Sequence, residues 1–180
     1  MAKKEGIVVR EERGLKRNDL WRFYIENNCC ETRYSMGRAT SVLPRCAAVV
    51  TARDHGKLVG IARAISDGLS AQVMELSVAL SHQGPRAHHG TGAVVEDDPY
   101  GVGRRLARVL VDVLRAQGVD WIEGVAWKGE LAMYEAAGFT RKDDHRAVFV
   151  DRRPPLTSSR HRGGRQRRLR SRPGKGPCGR

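Results

Sequence analysis

Hydrophobic residues change their spacing several times along the first 150 positions, and each spacing indicates a different element. The run 7–13 opens with adjacent β-branched residues and predicts a short strand. The pair Asn18-Asp19 then offers the N-cap of a first helix. A weaker helical pattern covers residues 34–43 and should end at Pro44, because the residue before a proline disfavours helical backbone.

Two β-prone runs, 47–53 and 57–65, flank the turn sequence Asp54-His55-Gly56, and this pattern predicts a hairpin. A third strand is predicted at 73–80. Because side chains alternate along a strand, the expected faces are Val73, Glu75 and Ser77 on one side and Met74, Leu76 and Val78 on the other.

A loop rich in glycine and histidine covers residues 81–98 and leads into the clearest helical pattern of the chain. Gly118 supplies a C-cap for that helix. Apolar residues recur there at helical spacing, at Val102, Leu106, Val109, Leu110, Val113 and Leu114.

A strand at 121–127, a short helix at 130–137 and a last strand at 147–150 complete the pattern. Trp121 and Trp127 alternate on one face of their strand, and we expect them to pack in the core. Hairpins come first and a strand-helix-strand unit follows. The order therefore predicts an α/β fold with a mixed, mostly antiparallel sheet and helices on both faces.

Charge divides the chain of 180 residues into two unequal parts. The formal net charge is +13, yet residues 152–180 hold 11 of the 33 basic residues and no acidic one. Residues 1–151 then carry 22 basic and 20 acidic residues, so they are almost neutral. Since the basic part has almost no bulky apolar residue, we predict one folded domain at 1–151 and a disordered basic tail at 152–180.

Several classes of protein are excluded by what the sequence lacks. No apolar run reaches the ~18 residues of a membrane span, and the polar start does not resemble a signal peptide, so we expect a cytoplasmic protein. The four cysteines contain no C-x-x-C pair, and they are expected to be reduced thiols. Nothing fixes the loop histidines His82, His88 and His89 as ligands, so no metal is expected, and the loop is predicted to be flexible over a substrate site.

The chemistry-bearing motif is the helix start formed by Gly101, Val102, Gly103 and Arg104. Glycines let a backbone approach a ligand closely, and the free N–H groups of a helix start attract anions. A phosphate or pyrophosphate is the expected occupant. A plain turn from loop to helix is the alternative reading of the same motif.

Together with the segment Tyr134-Glu135-Ala136-Ala137-Gly138-Phe139, this arrangement resembles the GNAT superfamily of N-acetyltransferases over residues 7–150. The resemblance implies that acetyl-coenzyme A binds with its pyrophosphate on the backbone of residues 101–104. It also implies that the pantetheine arm is hydrogen-bonded by the strand carrying Leu76 and Val78, and that Tyr134 protonates the leaving thiolate.

Three features depart from the family pattern. Asp98 stands where the family has arginine or glutamine, and its carboxylate would repel a pyrophosphate unless it caps the helix. The loop at 81–98 is longer than usual, and Trp127 stands where asparagine is frequent.

The predicted reaction is direct attack of a primary amine, expected to be that of a small molecule, on the thioester. Because free amines have pKa values near ~10, a base must remove a proton, and Glu75 is the first candidate because it lies among apolar residues. Glu123 on the neighbouring strand is the second. The alternative function is non-specific nucleic-acid binding through the basic tail. The sequence leaves open whether the chain forms a homodimer.

Overall fold

The centre of the molecule is a five-stranded sheet in the order β1-β2-β3-β4-β5, seen in a computed structural model that describes residues 6–148 and 150. Strands β1 to β4 pair with one another antiparallel, and β5 lies parallel to β4. The mixed sheet confirms the predicted fold class. The strands are β1 Ile7–Glu11, β2 Ala48–Asp54, β3 Lys57–Ser66, β4 Ser70–Val78 and β5 Trp121–Gly124.

The described part of the chain has four α-helices between or beside the strands: α1 Arg17–Glu26, α2 Met36–Ala39, α3 Val102–Ala116 and α4 Leu131–Ala136. Short 3₁₀ turns occur at Cys30–Arg33, Thr40–Arg45, Leu80–His82 and Lys128–Glu130. The prediction for α3 is confirmed. Its end is followed by Gly118 with φ +86°, a backbone angle that favours glycine.

The two faces of the sheet carry different helices, as predicted. On one face α3 approaches β3 so closely that a Cβ added to Gly60 would lie 2.8 Å from Cδ1 of Leu106. On the other face α1 contacts β4, where the Tyr24 hydroxyl donates to the Glu75 carboxylate. The sheet therefore separates two layers, and each layer can be examined by its own residues.

A β-bulge in β4 changes the predicted alternation. Arg63 pairs with Glu75, whereas its neighbour Ala64 pairs with Val73, so Met74 is an extra residue in the ladder. Val73 therefore shares a face with Leu76 and not with Glu75, and the prediction for Val73 was wrong. A bulge adds one residue to one strand and reverses the side of everything beyond it.

The region after β5 also differs from the predictions. Residues 147, 148 and 150 form no strand, and Val148 and Val150 are exposed, while residue 149 lies outside the described residues. Trp121 and Trp127 are 51% and 59% exposed, so neither packs in the core. The reason is that β5 has only four residues and pairs with β4 alone among the described strands, which leaves its outer edge uncovered.

Smaller differences concern the first helices. Helix α1 begins at Arg17, so Asn18 and Asp19 lie inside its first turn and do not cap it. Pro44 lies within a 3₁₀ turn and does not end an α-helix. Across the described ranges no helix is long and apolar enough to cross a membrane. The predicted tail, 152–180, lies outside the described residues.

Candidate active site

The candidate site lies where β4 and β5 separate. Their parallel ladder ends at the pair Val73 and Gly124, and β4 continues without β5 to Val78. The ring of Tyr134 lies at this point, because a Cβ added to Gly124 would be 4.0 Å from Cε1 of Tyr134. Separated parallel strands leave backbone N–H and C=O groups free to bind an extended ligand.

The backbone of β4 beyond this point is directed alternately to β3 and into the gap. Ala79 donates its N–H to the carbonyl of Val59, so Val78 and Leu76 direct theirs to the opposite side. The N–H of Val78 donates to the carbonyl of Gly92 at 2.9 Å. A residue of the 81–98 loop thus holds one of the two groups predicted to bind the pantetheine arm.

The start of α3 has the predicted glycine turn, and the carboxylate of Asp98 is bonded to it. Gly101 has φ +66°, which lets the chain turn sharply into the helix. The Asp98 carboxylate accepts from the N–H of Gly103 at 3.1 Å and from the N–H of Arg104 at 3.0 Å. The N–H groups predicted to bind pyrophosphate therefore bind an internal carboxylate, which caps the helix.

Gly103 itself is close to side chains. A Cβ added there would lie 3.1 Å from Cγ1 of Val95 and 3.4 Å from the Met133 side chain. Glycine is required at this position because other groups lie close to it, but these groups are side chains of the protein itself.

Glu75 is buried in a polar network on the α1 side of the sheet. Its Oε2 accepts from Nε of Arg63 at 2.6 Å and from the Tyr24 hydroxyl at 2.8 Å, and its Oε1 accepts from the Ser77 hydroxyl at 3.1 Å. Burial of an ionised pair is tolerated when its remaining atoms are hydrogen-bonded, as they are here.

Tyr134 is the second predicted catalytic residue, and it is largely buried. Its ring packs edge-on against Phe139, with centroids 5.2 Å apart. Burial, assisted by the charge of Glu130, raises the pKa of the Tyr134 hydroxyl well above its ordinary value. The hydroxyl therefore keeps its proton throughout the neutral range.

Comparison with known proteins gives structural matches only. No protein-family model and no curated protein sequence matches the chain. A GNAT-family acetyltransferase from Streptococcus pneumoniae superposes with a TM-score of 0.58 at 17% identity, over 81% of this chain and 98% of that one.

Two further matches have named substrates. An aminoglycoside acetyltransferase from an uncultured soil sample gives a TM-score of 0.57 at 16% identity, over 82% of this chain and 97% of that one. Glucosamine-6-phosphate N-acetyltransferase from Arabidopsis thaliana gives 0.56 at 11% identity, over 82% and 100%.

The chain has the fold of the GNAT acetyltransferases. We call residues 74–78 of β4, which β5 does not pair, the free part of β4, and Tyr134 lies where this part begins. Glu123, the second candidate base, is exposed and accepts from the indole N–H of Trp121 at 3.2 Å. The strand register puts it on the same face of the sheet as Glu75.

Sequence reasoning missed Glu31, which lies in the 3₁₀ turn after α1. Burial, with the nearby charge of Glu75 adding to it, raises the pKa of the Glu31 carboxyl, and the charge of Arg63 opposes this only in part. Burial also raises the pKa of the Cys29 thiol. Glu31 has no recognisable spacing in the sequence, since only the fold brings it near β4.

The predicted histidine loop has a more definite structure than expected. His82 is buried, and its Nε2 lies 2.9 Å from Oδ2 of Asp54 on the β2–β3 hairpin. The backbone N–H groups of His88 and His89 both donate to the Glu96 carboxylate. Within the described residues no group of three or more potential ligands is arranged to hold a metal ion.

Proposed function

We propose that the protein transfers an acetyl group from acetyl-coenzyme A to a primary amine of a small molecule. The observation that carries this proposal is the separation of β4 from β5 beyond Val73 and Gly124, with Tyr134 at the point of separation. An extended thioester arm could hydrogen-bond along the free part of β4 and place its sulfur near the tyrosine. The GNAT fold supports the same class of reaction.

The proposed cofactor contacts are those predicted from the sequence. The backbone of Leu76 and Val78 would bind the pantetheine arm, and the N–H groups at residues 101–104 would bind the pyrophosphate. The contacts of Gly92 and Asp98 with these groups must open first. Acetyl-coenzyme A is a co-substrate in this proposal, and no metal takes part.

In the proposed reaction the neutral amine nitrogen attacks the carbonyl carbon of the thioester, and the C–S bond breaks. The proton lost by nitrogen goes to a carboxylate, and Tyr134 donates its proton to the leaving sulfur. The protonated carboxyl group then releases its proton to solvent, and solvent restores the tyrosine proton. The products are an N-acetyl amide and the free thiol of coenzyme A.

Two carboxylates compete for the role of base: Glu75, which is buried, and Glu31, which is partly buried. Glu75 would have to accept a proton while its oxygens remain bonded to Arg63, Tyr24 and Ser77. Glu31 has a raised pKa, and its carboxylate accepts from the thiol of Cys30 at 3.5 Å. We therefore propose Glu75 as the base with Glu31 as its competitor, ahead of the exposed Glu123.

The structural matches support an amine on a small molecule as acceptor. Two of the matched proteins are named for acetylating an aminoglycoside and glucosamine-6-phosphate, both of which are amino sugars. The alternative of nucleic-acid binding depends on residues 152–180, which lie outside the described residues.

The test is release of free thiol from acetyl-coenzyme A in the presence of a panel of amines, with the acetylated product identified by mass spectrometry. We expect product with at least one amine, and much less with Tyr134→Phe. Acetyl-coenzyme A that binds but is never consumed, across amino sugars, polyamines and amino acids, would contradict the proposed activity.

A further inference from the structure

A segment that we call the strap, residues 90–98, crosses the end of β4 between α1 and the start of α3. At its first end the Asn28 side chain donates to the carbonyl of Gly90, and the Thr91 hydroxyl donates to the carbonyl of Asn28. The N–H of Gly92 donates to the carbonyl of Asn27 at 2.7 Å. The strap is therefore fastened to the end of α1 before it reaches the gap beside β4.

In the gap the strap takes the place of a bound ligand along β4. The carbonyl of Gly92 accepts from the N–H of Val78, in the way that an added strand or an extended arm would. There is no room for a larger residue, since a Cβ added to Gly92 would lie 2.9 Å from the carbonyl oxygen of Val78. This contact is the close approach for which glycine is required at this position.

Further along, the strap is bonded to the start of α4. The N–H of Val95 donates to Oε1 of the buried Glu130 at 2.8 Å, and the other oxygen of Glu130 accepts from the N–H of Trp127. The side chain of Val95 packs on Gly103. The strap thus lies between α3 and α4 as well as along β4.

At its last end the strap places a negative charge on the anion site. Both Asp98 oxygens accept N–H groups from α3, one from Gly103 and one from Arg104. A diphosphate oxygen bound there would use the same two donors. Two carboxylate or phosphate groups cannot share them, because like charges at this distance repel strongly.

We propose that the strap occupies the site of the acyl donor, and that Asp98 sets the affinity for a diphosphate-bearing donor by competing for the N–H groups of Gly103 and Arg104. This inference rests on the proposed function and adds to it a residue that determines cofactor affinity. Donor binding must move Asp98 off the helix start and Gly92 off β4. The apparent affinity for the donor equals the affinity of the displaced form multiplied by the fraction of molecules in which the strap is displaced.

The first experiment compares coenzyme A and pantetheine by calorimetry on wild type and Asp98→Asn. Asparagine still caps a helix but carries no charge, so the fold should be retained. We expect coenzyme A to bind about tenfold more tightly, or better, to Asp98→Asn, because a charged hydrogen-bonded competitor is removed. Pantetheine has no diphosphate, so its affinity should increase little in this variant.

The matched control is Asp112→Asn, which removes one exposed carboxylate from the same helix at a distance from its start. It changes the net charge equally and should leave coenzyme A affinity almost unchanged. An equal gain in both variants would show a general effect of charge and would overturn the role of Asp98.

The second experiment is hydrogen–deuterium exchange with saturating coenzyme A. We expect faster exchange at the N–H groups of Gly92 and Val95, because they lose Asn27 and Glu130 as partners. Slower or unchanged exchange at both would mean that the donor binds with the strap in place, and would overturn the proposal.

The two proposals fail in different ways. If wild type and Asp98→Asn bind coenzyme A equally, the strap does not compete, while the proposed transferase activity stands. If neither binds coenzyme A at millimolar concentration, the proposed function is wrong and this inference is wrong with it.

Discussion

The two faces of the sheet differ in their buried charge. On the α3 face the contacts are apolar: Ala62, Leu76 and Val78 are buried, and α3 contributes Leu106 and Leu110. On the α1 face Arg63, Glu75 and Tyr24 form a buried polar network. Apolar packing is insensitive to pH, whereas a buried charge network responds to protonation. The effect of pH on stability therefore distinguishes substitutions on the α1 face from substitutions on the α3 face.

The largest effect is expected on the polar face from Arg63→Ala. It leaves the Glu75 carboxylate buried without its cation, and removing one partner of a buried pair costs about 3–5 kcal/mol. Urea denaturation measures the loss. The double variant Arg63→Met with Glu75→Met should recover most of it, and a double variant as unstable as the single one would contradict this explanation.

On the apolar face Leu106→Ala should cost about 3 kcal/mol, since it leaves a cavity against Gly60. The loss should be the same at pH 5 and pH 8 in urea denaturation. A loss that changes with pH would show that the two faces are coupled.

Tyr134 lies at the point where β4 and β5 separate. The variant Tyr134→Phe tests its role in the reaction and not its contribution to stability. Turnover should fall about hundredfold, because general acid assistance is lost, while coenzyme A affinity is retained. Tyr34→Phe is the control, since that ring contacts the guanidinium of Arg38. Equal turnover in Tyr134→Phe and wild type would remove the acid role.

The smallest effect is expected from Glu31→Gln. Because burial raises the pKa of Glu31 in the folded chain, the folded state binds its proton more tightly than the unfolded state. Glu31 therefore adds stability below its ordinary pKa, ~4.3, and that stability is lost as pH rises through the raised value. The variant should be more stable than wild type by about 1 kcal/mol at pH 8 and equal near pH 4. Thermal denaturation of Glu31→Gln and of the exposed control Glu135→Gln gives the comparison.

Sequence patterns predicted the elements whose periodicity is strong and local. The amphipathic α3, the hairpin around His55 and the mixed sheet all follow from residue spacing. The bulge at Met74 was not predicted, because no residue type marks it and it depends on pairing with β3. Trp121 and Trp127 were placed in the core on apolar character alone, although their strand lies at the edge of the described sheet.

The sequence predicted candidate site residues but not the contacts that they make. The sequence identified the glycines at the start of α3 and the anomalous Asp98. Only the structure shows that the Asp98 carboxylate accepts from the N–H groups of Gly103 and Arg104. The side chain of a Gly103→Val variant would collide with Val95 and Met133. A loss of cofactor binding in that variant would therefore not by itself show where the pyrophosphate binds.

An NMR titration of backbone amide signals with coenzyme A tests directly whether the donor binds along the free part of β4 and at the start of α3. Such binding predicts saturable shifts at Leu76, Val78 and residues 101–104, with smaller changes elsewhere. Saturable shifts confined to other parts of the molecule would contradict it, and so would unchanged spectra of both wild type and Asp98→Asn at millimolar coenzyme A.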